Sequence, residues 1–303
     1  LEVPLSDRPD SGLKGRKNHL GWSDPELTLK ALQQARISAV SLANNHALDC
    51  GREAMLETVK RLREAGIQTF GAGADATAAA RPLVRRFRDG ARERALVVFG
   101  AFERRERYQE AYRWYATPGM AGVNPLQPGH IGESIMRLRD VLPDPVFVAF
   151  PHWGNVYGQV SEAQRAGGAS LIGAGADIVI GHGTHAGQAI EMVAGKPVLY
   201  GLGNFVWNTP GRYGKLGCPP YSLVCSLAFG PGPAGPDGAP GANVRLRVYP
   251  IVTDNMVTRL RGRPTSDSEF AEAAGLITAG LDRGLTRLHD RGLRHLEIPL
   301  PGL

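Results

Sequence analysis

Cysteine is scarce: Cys50, Cys218 and Cys225 are the only three in 303 residues. A disulfide framework or a thiolate metal site needs more cysteines at short spacing. Reduced thiols are therefore expected, with Cys218 to Cys225 the one conceivable bridge. Long apolar runs are also lacking. Nothing approaches the roughly 18–20 consecutive apolar residues of a membrane-spanning helix, so no membrane span and a soluble chain are expected. Aromatic residues make up only 7%, and the cations behind the net charge of +6 are nearly all arginine. An arginine run (Arg81, Arg85, Arg86, Arg88, Arg92, Arg94, then Arg104, Arg105 and Arg107) is interleaved with Asp89, Glu93, Glu103 and Glu106. Such alternation describes a solvated, salt-bridged face, not the aromatic-laced basic stripe of a nucleic-acid binder, and no nucleic-acid partner is expected. The chain opens on Leu1 rather than Met. A missing N-terminal piece is expected, with any signal or anchor in it. For the chain as written, a cytoplasmic location is expected over an extracellular one.

What is present alternates between helical and strand patterns. Residues 25–36 carry Leu27, Leu32 and Ala35 at helical intervals, with Asp24 as N-cap before Pro25. Residues 37–43 and 67–70 are short apolar runs, read as buried strands. Between them, residues 51–65 place Met55, Val59 and Leu62 on one helical face, and Gly66 ends it. A short Ala-rich helix precedes Pro82, and residues 83–88 and 94–99 flank Asp89-Gly90 as a hairpin. Further strands are expected at 146–150, 177–180, 197–200, 221–229 and 244–253, with a helix at 162–172. This order argues for an α/β layered fold. Residues 230–242 hold nine Gly or Pro in thirteen positions, too few triplets for a collagen helix, and read as a loop. The tail, residues 266–303, reads as one amphipathic helix and a short terminal segment.

The chemistry falls at the ends of the buried strands. One strand runs into Asn44, Asn45 and His46, another into His152, a third into His182 and His185, and a fourth into Asn204. Ligands of layered α/β sheets bind outside the carboxyl ends of the strands. His46, His152, His182 and His185 are thus expected to share one cleft at one sheet edge. Imidazole nitrogens and amide oxygens suit transition-metal ions. His19, His130, His289 and His295 lack this context and are read as surface or packing residues. A further segment, residues 102–129, holds Tyr108, Tyr112, Trp114 and Tyr115 among arginines without a strand pattern. It is expected to form an excursion at the cleft mouth that helps select substrate.

Four stretches carry a resemblance: Ser-Leu-Ala-Asn-Asn-His-Ala-Leu-Asp-Cys-Gly (41–51), His-Trp-Gly (152–154), Gly-His-Gly-Thr-His (181–185) and Tyr-Gly-Leu-Gly-Asn-Phe (200–205). With the opening Leu-Glu-Val-Pro-Leu-Ser-Asp, they resemble the CapA/PgsA family of poly-γ-glutamate capsule biosynthesis proteins. The resemblance implies a four-layered α/β/β/α metallophosphatase-like sandwich of mixed sheets over residues 1–265, with residues 266–303 a C-terminal helical extension packed on it. It also implies one or two divalent metal ions (Mn, Zn or Fe). By motif, Glu2, Asn45, His152, His182 and His185 correspond to metal ligands, His46 and Asn44 to catalytic groups, and Asn204 and Trp153 to substrate-positioning groups. His46 would protonate a leaving group. The chain begins after the aspartate expected at the family's first strand, Val156 stands where many members have Glu, and Gly183 where many have His. The implied function is a metal-dependent hydrolase acting on a phosphoester or a γ-glutamyl-like amide. Two alternatives stay open. One is a non-catalytic capsule-assembly subunit binding an anionic polymer, the other a tailoring enzyme of secondary metabolism. The expected partner is a small-molecule or polyanionic substrate.

Overall fold

The computed structural model describes residues 1–7, 9–90, 92–207, 211–232, 241–279, 281, 286–290 and 292–303. The chain divides into two compact units. The first comprises Leu1–Arg85, Leu96–Ile131 and Ala149–His152, the second Arg86–Ala95, Gly132–Val148 and Trp153–Leu303.

In the first unit, helix Pro25–Gln34 starts where the sequence predicts, with the Asp24 carboxylate accepting from Leu27 N at 2.8 Å and Pro25 at the first helical position. Helix Gly51–Glu64 buries Met55, Val59 and Leu62. Gly66 then turns the chain at φ +78°, a left-handed conformation that favours glycine. Strands Ala39–Ser41 and Gln68–Phe70 pair in parallel on either side of that helix in sequence. Their core includes Leu5, Val40, Leu42, Leu62, Ile67, Phe102, Trp114 and Val123. Residues 102–129 depart from expectation. Tyr112, Trp114 and Tyr115 are buried in this core rather than displayed for recognition, because rings of this size contribute most when removed from water. The stretch holds only the short helix Glu106–Glu110 and the short strand Gly122–Val123 before helix Pro128–Arg139 begins.

The second unit contains residues of all six strands of a mixed sheet, in the order Leu83–Asp89, Arg92–Phe102, Pro145–His152, Ile178–Ile180, Lys196–Leu199 and Ile190–Val193. Lys196–Leu199 runs parallel to Ile178–Ile180 and antiparallel to Ile190–Val193. Helix Glu162–Gly173, opened by a Ser161/Gln164 capping box, lies against this sheet at Ile178–Ile180 and Ile190–Val193. A second, antiparallel sheet orders Tyr221–Ala228, Val244–Val252, Leu293–Leu300 and Thr286–Asp290, and Arg263–Pro264 also pairs with Val244–Val252. Helix Asp267–Ile277 packs on it.

The tail corrects the sequence reading. Residues 266–303 are not an appended helix with a loose end: Leu293–Leu300 is an inner strand of the five-stranded sheet, hydrogen-bonded to Val244–Val252 on one side and Thr286–Asp290 on the other. The glycine- and proline-rich loop closes a short pairing of Pro231–Gly232 with Gly241–Ala242, and its centre, residues 233–240, lies outside the described residues. The three cysteines are free thiols, and burial pushes that of Cys225 up to about 12. Among the described residues, no helix is long and apolar enough to cross a membrane.

Candidate functional site

The loop after strand Ala39–Ser41 is built around Asn44. Its Nδ2 donates to Leu1 O at 2.8 Å, its Oδ1 accepts from His46 N at 2.9 Å, and its own carbonyl accepts from Trp114 Nε1 at 2.9 Å. Both ends of the amide are therefore committed to shaping the loop. His46 emerges from that loop with Nδ1 2.6 Å from Asp49 Oδ2, one helical turn further on. Asp49 also accepts from Gly21 N at 2.7 Å and from Lys17 Nζ at 2.6 Å, and its side chain is fully buried. Lys17 Nζ also stands 3.2 Å from His46 Nδ1 and donates to His19 O at 3.0 Å. Burial lowers the Lys17 ammonium from its usual value, and Asp49 offsets this only in part. With Asp49 Oδ2, the nearer of the two partners, accepting from Nδ1, His46 keeps Nε2 for chemistry. Asp49 and Lys17 are site residues that sequence reasoning missed. For Asp49 the signal was its spacing three after His46, whereas Lys17 carried none.

Two predicted ligands meet in the same unit. Glu2 Oε1 lies 3.7 Å from His152 Nε2. Asn45 Oδ1 is buried and accepts no hydrogen bond. Beside His152, Phe102 packs edge-on at 5.5 Å, and Tyr108 packs edge-on 5.1 Å from Phe102. Burial pushes the Tyr108 phenol up, and the Asn45 amide opposes that. A carboxylate, an imidazole and an amide oxygen that accepts no hydrogen bond are each of a chemistry that suits a divalent ion. Among the described residues, no three His, Cys, Asp or Glu stand close enough to hold an ion by themselves.

The second unit gathers the remaining predicted residues. Strand Ile178–Ile180 ends at Gly181, where a Cβ would collide with Trp153 Nε1 and Tyr200 O, so only glycine lets the chain pass to His182. The His182 carbonyl accepts from Trp153 N at 2.9 Å. His185 adopts φ +63°, unusual for a residue with a Cβ, and is held there by Tyr213, whose hydroxyl donates to His185 O at 2.8 Å. Asn204 Nδ2 donates to Tyr213 Oη at 3.3 Å, so Asn204 Oδ1 is the acceptor for His185 Nδ1 at 2.8 Å. That tautomer leaves the lone pair on Nε2, where a metal would be bound. The ring is flanked by Tyr157 and Trp207, at 5.3 and 4.3 Å between centroids. The Asn204 amide is hydrogen-bonded to His185 and Tyr213. Trp153 is a core residue, 2% exposed, with Nε1 donating to Tyr200 O at 2.8 Å. Tyr213 was missed, because a tyrosine in a Gly-rich stretch shows no periodicity.

A mixed α/β chain with a carboxylate-oriented histidine after a parallel strand is the class these observations define. The chain belongs to the family of bacterial capsule synthesis proteins, PGA_cap, which it matches over residues 1–209. A probable polyglutamine synthesis accessory protein of Mycobacterium tuberculosis is 35% identical over 246 residues, 79% of this chain and 61% of that protein. The capsule biosynthesis protein CapA of Bacillus anthracis is 29% identical over 213 residues, 68% of this chain and 48% of CapA. The chain thus spans between about half and three fifths of these curated relatives' length. Similar solved structures include a sulfate thiohydrolase SoxB from Thermus thermophilus, with TM-score 0.46, 16% identity and coverage of 92% of this chain and 42% of that one. A putative 5'-nucleotidase from Staphylococcus aureus gives TM-score 0.41, 14% identity and coverage of 80% and 39%. Likeness at this level carries no functional argument.

Proposed function

We propose that this chain is a hydrolase of a capsule-polymer pathway, with a metallophosphatase-like plan, in which His46 acts as general acid on a phosphoester or γ-glutamyl-like amide. The observation that carries this reading is the buried Asp49 carboxylate 2.6 Å from His46 Nδ1. To act as the acid the ring carries a proton on each nitrogen: the buried carboxylate accepts the Nδ1–H, and the Nε2–H passes to a leaving oxygen or nitrogen. A divalent ion bound by Glu2, Asn45 and His152 would supply an activated water and charge stabilisation. The chain's own residues do the rest. Asp49 fixes the imidazole, Lys17 balances the carboxylate, and Asn44 sets the loop that carries both. In the second unit, Asn204 presents Nε2 of His185, a further donor for a divalent ion.

The test is elemental analysis of protein grown with Mn, Zn and Fe, combined with turnover of bis-p-nitrophenyl phosphate and of γ-glutamyl-p-nitroanilide. His46→Ala is expected to keep its metal and lose roughly 10²–10⁴-fold in turnover, the scale of general acid–base catalysis. His152→Ala is expected to lose bound metal. Metal loss confined to the His46 variant reverses the assignment. Absence of metal and turnover in the unmutated protein favours the second reading, a non-catalytic accessory subunit, which the name of the mycobacterial relative, a probable polyglutamine synthesis accessory protein, supports.

A further inference from the structure

A cavity of about 410 Å³ lies wholly within the first unit, away from the His46 loop. Its wall begins at Gly66 and Ile67, ahead of strand Gln68–Phe70. Because that strand runs parallel to Ala39–Ser41, the cavity starts at the opposite end of the pair from the loop bearing His46. Two further features define what it can hold.

The first is backbone. Gln68 and Thr69 line one side, Leu83 and Val84 the other. Strand Gln68–Phe70 pairs only with Ala39–Ser41, and strand Leu83–Asp89 only with Arg92–Phe102, among the described residues. Each therefore has one edge without a strand partner, and such edges are ready to hydrogen-bond an extended chain. The second is charge. Arg63 and Arg81 line the cavity, and no acidic residue does. Arg63 is fixed at the wall by donating Nε to Thr69 Oγ1 at 3.2 Å. Neither guanidinium forms a salt bridge with a described carboxylate, although arginines elsewhere, such as Arg61 and Arg263, do. Two such cations beside free strand edges match an extended amide chain that carries carboxylates, since guanidinium forks bind carboxylates with charge-assisted hydrogen bonds.

We infer that this cavity is a non-catalytic docking site for an acidic, peptide-like chain, holding its amide backbone against the strand edges and its carboxylates on Arg63 and Arg81. The volume lies within the range of small-ligand sites, so a few residues of such a chain fit at a time. The inference does not depend on hydrolysis, because the site and His46 lie at opposite ends of the strand pair.

The test is calorimetric titration of the full chain with γ-linked pentaglutamate, α-linked pentaglutamate, the uncharged γ-linked pentaglutamine and inorganic phosphate. Binding of either glutamate oligomer, weakened by salt and about tenfold by each of Arg63→Ala and Arg81→Ala, is the expected result, tenfold being about 1.4 kcal/mol. His46→Ala is expected to bind unchanged, so failure of the hydrolase reading leaves this result intact. Both arginines are exposed, and circular dichroism verifies that the variants fold. Oligoglutamate affinity unaffected by the arginine variants overturns the inference. So does equal binding of the uncharged oligomer, or tighter binding of phosphate than of either acidic chain.

Discussion

Asp49 concentrates the risk of this fold in one side chain. It is fully buried, and its charge is matched by Lys17, whose own side chain is 6% exposed. That the ammonium is still pushed below its usual value shows burial outweighing the pairing. Removing one partner leaves the other charge uncompensated in the interior. Lys17→Met is therefore expected to destabilise the protein by about 3–5 kcal/mol, read from the midpoint of urea unfolding. A loss below about 1 kcal/mol would mean that water reaches Asp49, and the carboxylate would then be a poor anchor for His46. His46 itself was legible in the sequence, since a histidine directly after a buried strand sits where ligands bind. Lys17 was not legible. It arrives from a loop 29 residues earlier, and no local pattern records which buried acid a lysine will meet.

At the scale of elements, boundaries set by local chemistry held and those set by packing moved. Helix Asp267–Ile277 shows the first kind: Ser266 accepts from Glu269 N, and Glu269 accepts in return from Ser266 N at 2.7 Å. Arg263 also donates to both Glu269 oxygens. These donors, Arg263 foremost, lower the Glu269 carboxyl from 4.5 to about 2. A depressed carboxylate stabilises the fold fully above its unfolded value, and this stabilisation is lost as pH falls through the folded one. The contribution should thus be intact above about pH 4.5 and vanish as pH falls towards 2. Glu269→Ala is expected to cost about 1 kcal/mol at pH 7, the scale of a lost cap, and almost nothing at pH 2. Thermal melts of both proteins across that range test it; a difference that persists at pH 2 would place the effect in packing instead of charge.

For the whole molecule, the decisive feature is the closing strand. Val244–Val252 is bracketed by Tyr221–Ala228 and Leu293–Leu300, and Val244, Leu246, Val248, Leu296, Ile298 and Leu300 are all buried. A chain ending at residue 265 would leave Val244–Val248 without a partner on the edge that Leu293–Leu300 covers, and bare those apolar residues to water. It is expected to lose near-ultraviolet circular dichroism and to aggregate, because an exposed apolar strand edge recruits other chains. A monomeric 1–265 fragment with native spectra would show that the tail is an appendage after all.

The sequence by itself determined the class of fold, the order of most helices and strands, the family and the polar residues at strand ends. Those features rest on short-range chemistry: hydrophobic period, capping residues, turn formers and contiguous motifs. Only the tertiary structure decided which of those polar residues remain available for chemistry. Asn44 spends its amide on the backbone, Asn204 on His185 and Trp153 on the core, whereas His46 keeps Nε2. The same holds for Lys17 beneath Asp49, Tyr213 beneath His185 and the inner strand made from the tail. Each depends on partners distant in sequence, and the burial that makes a polar group bond inward or stay open exists only after the chain has packed.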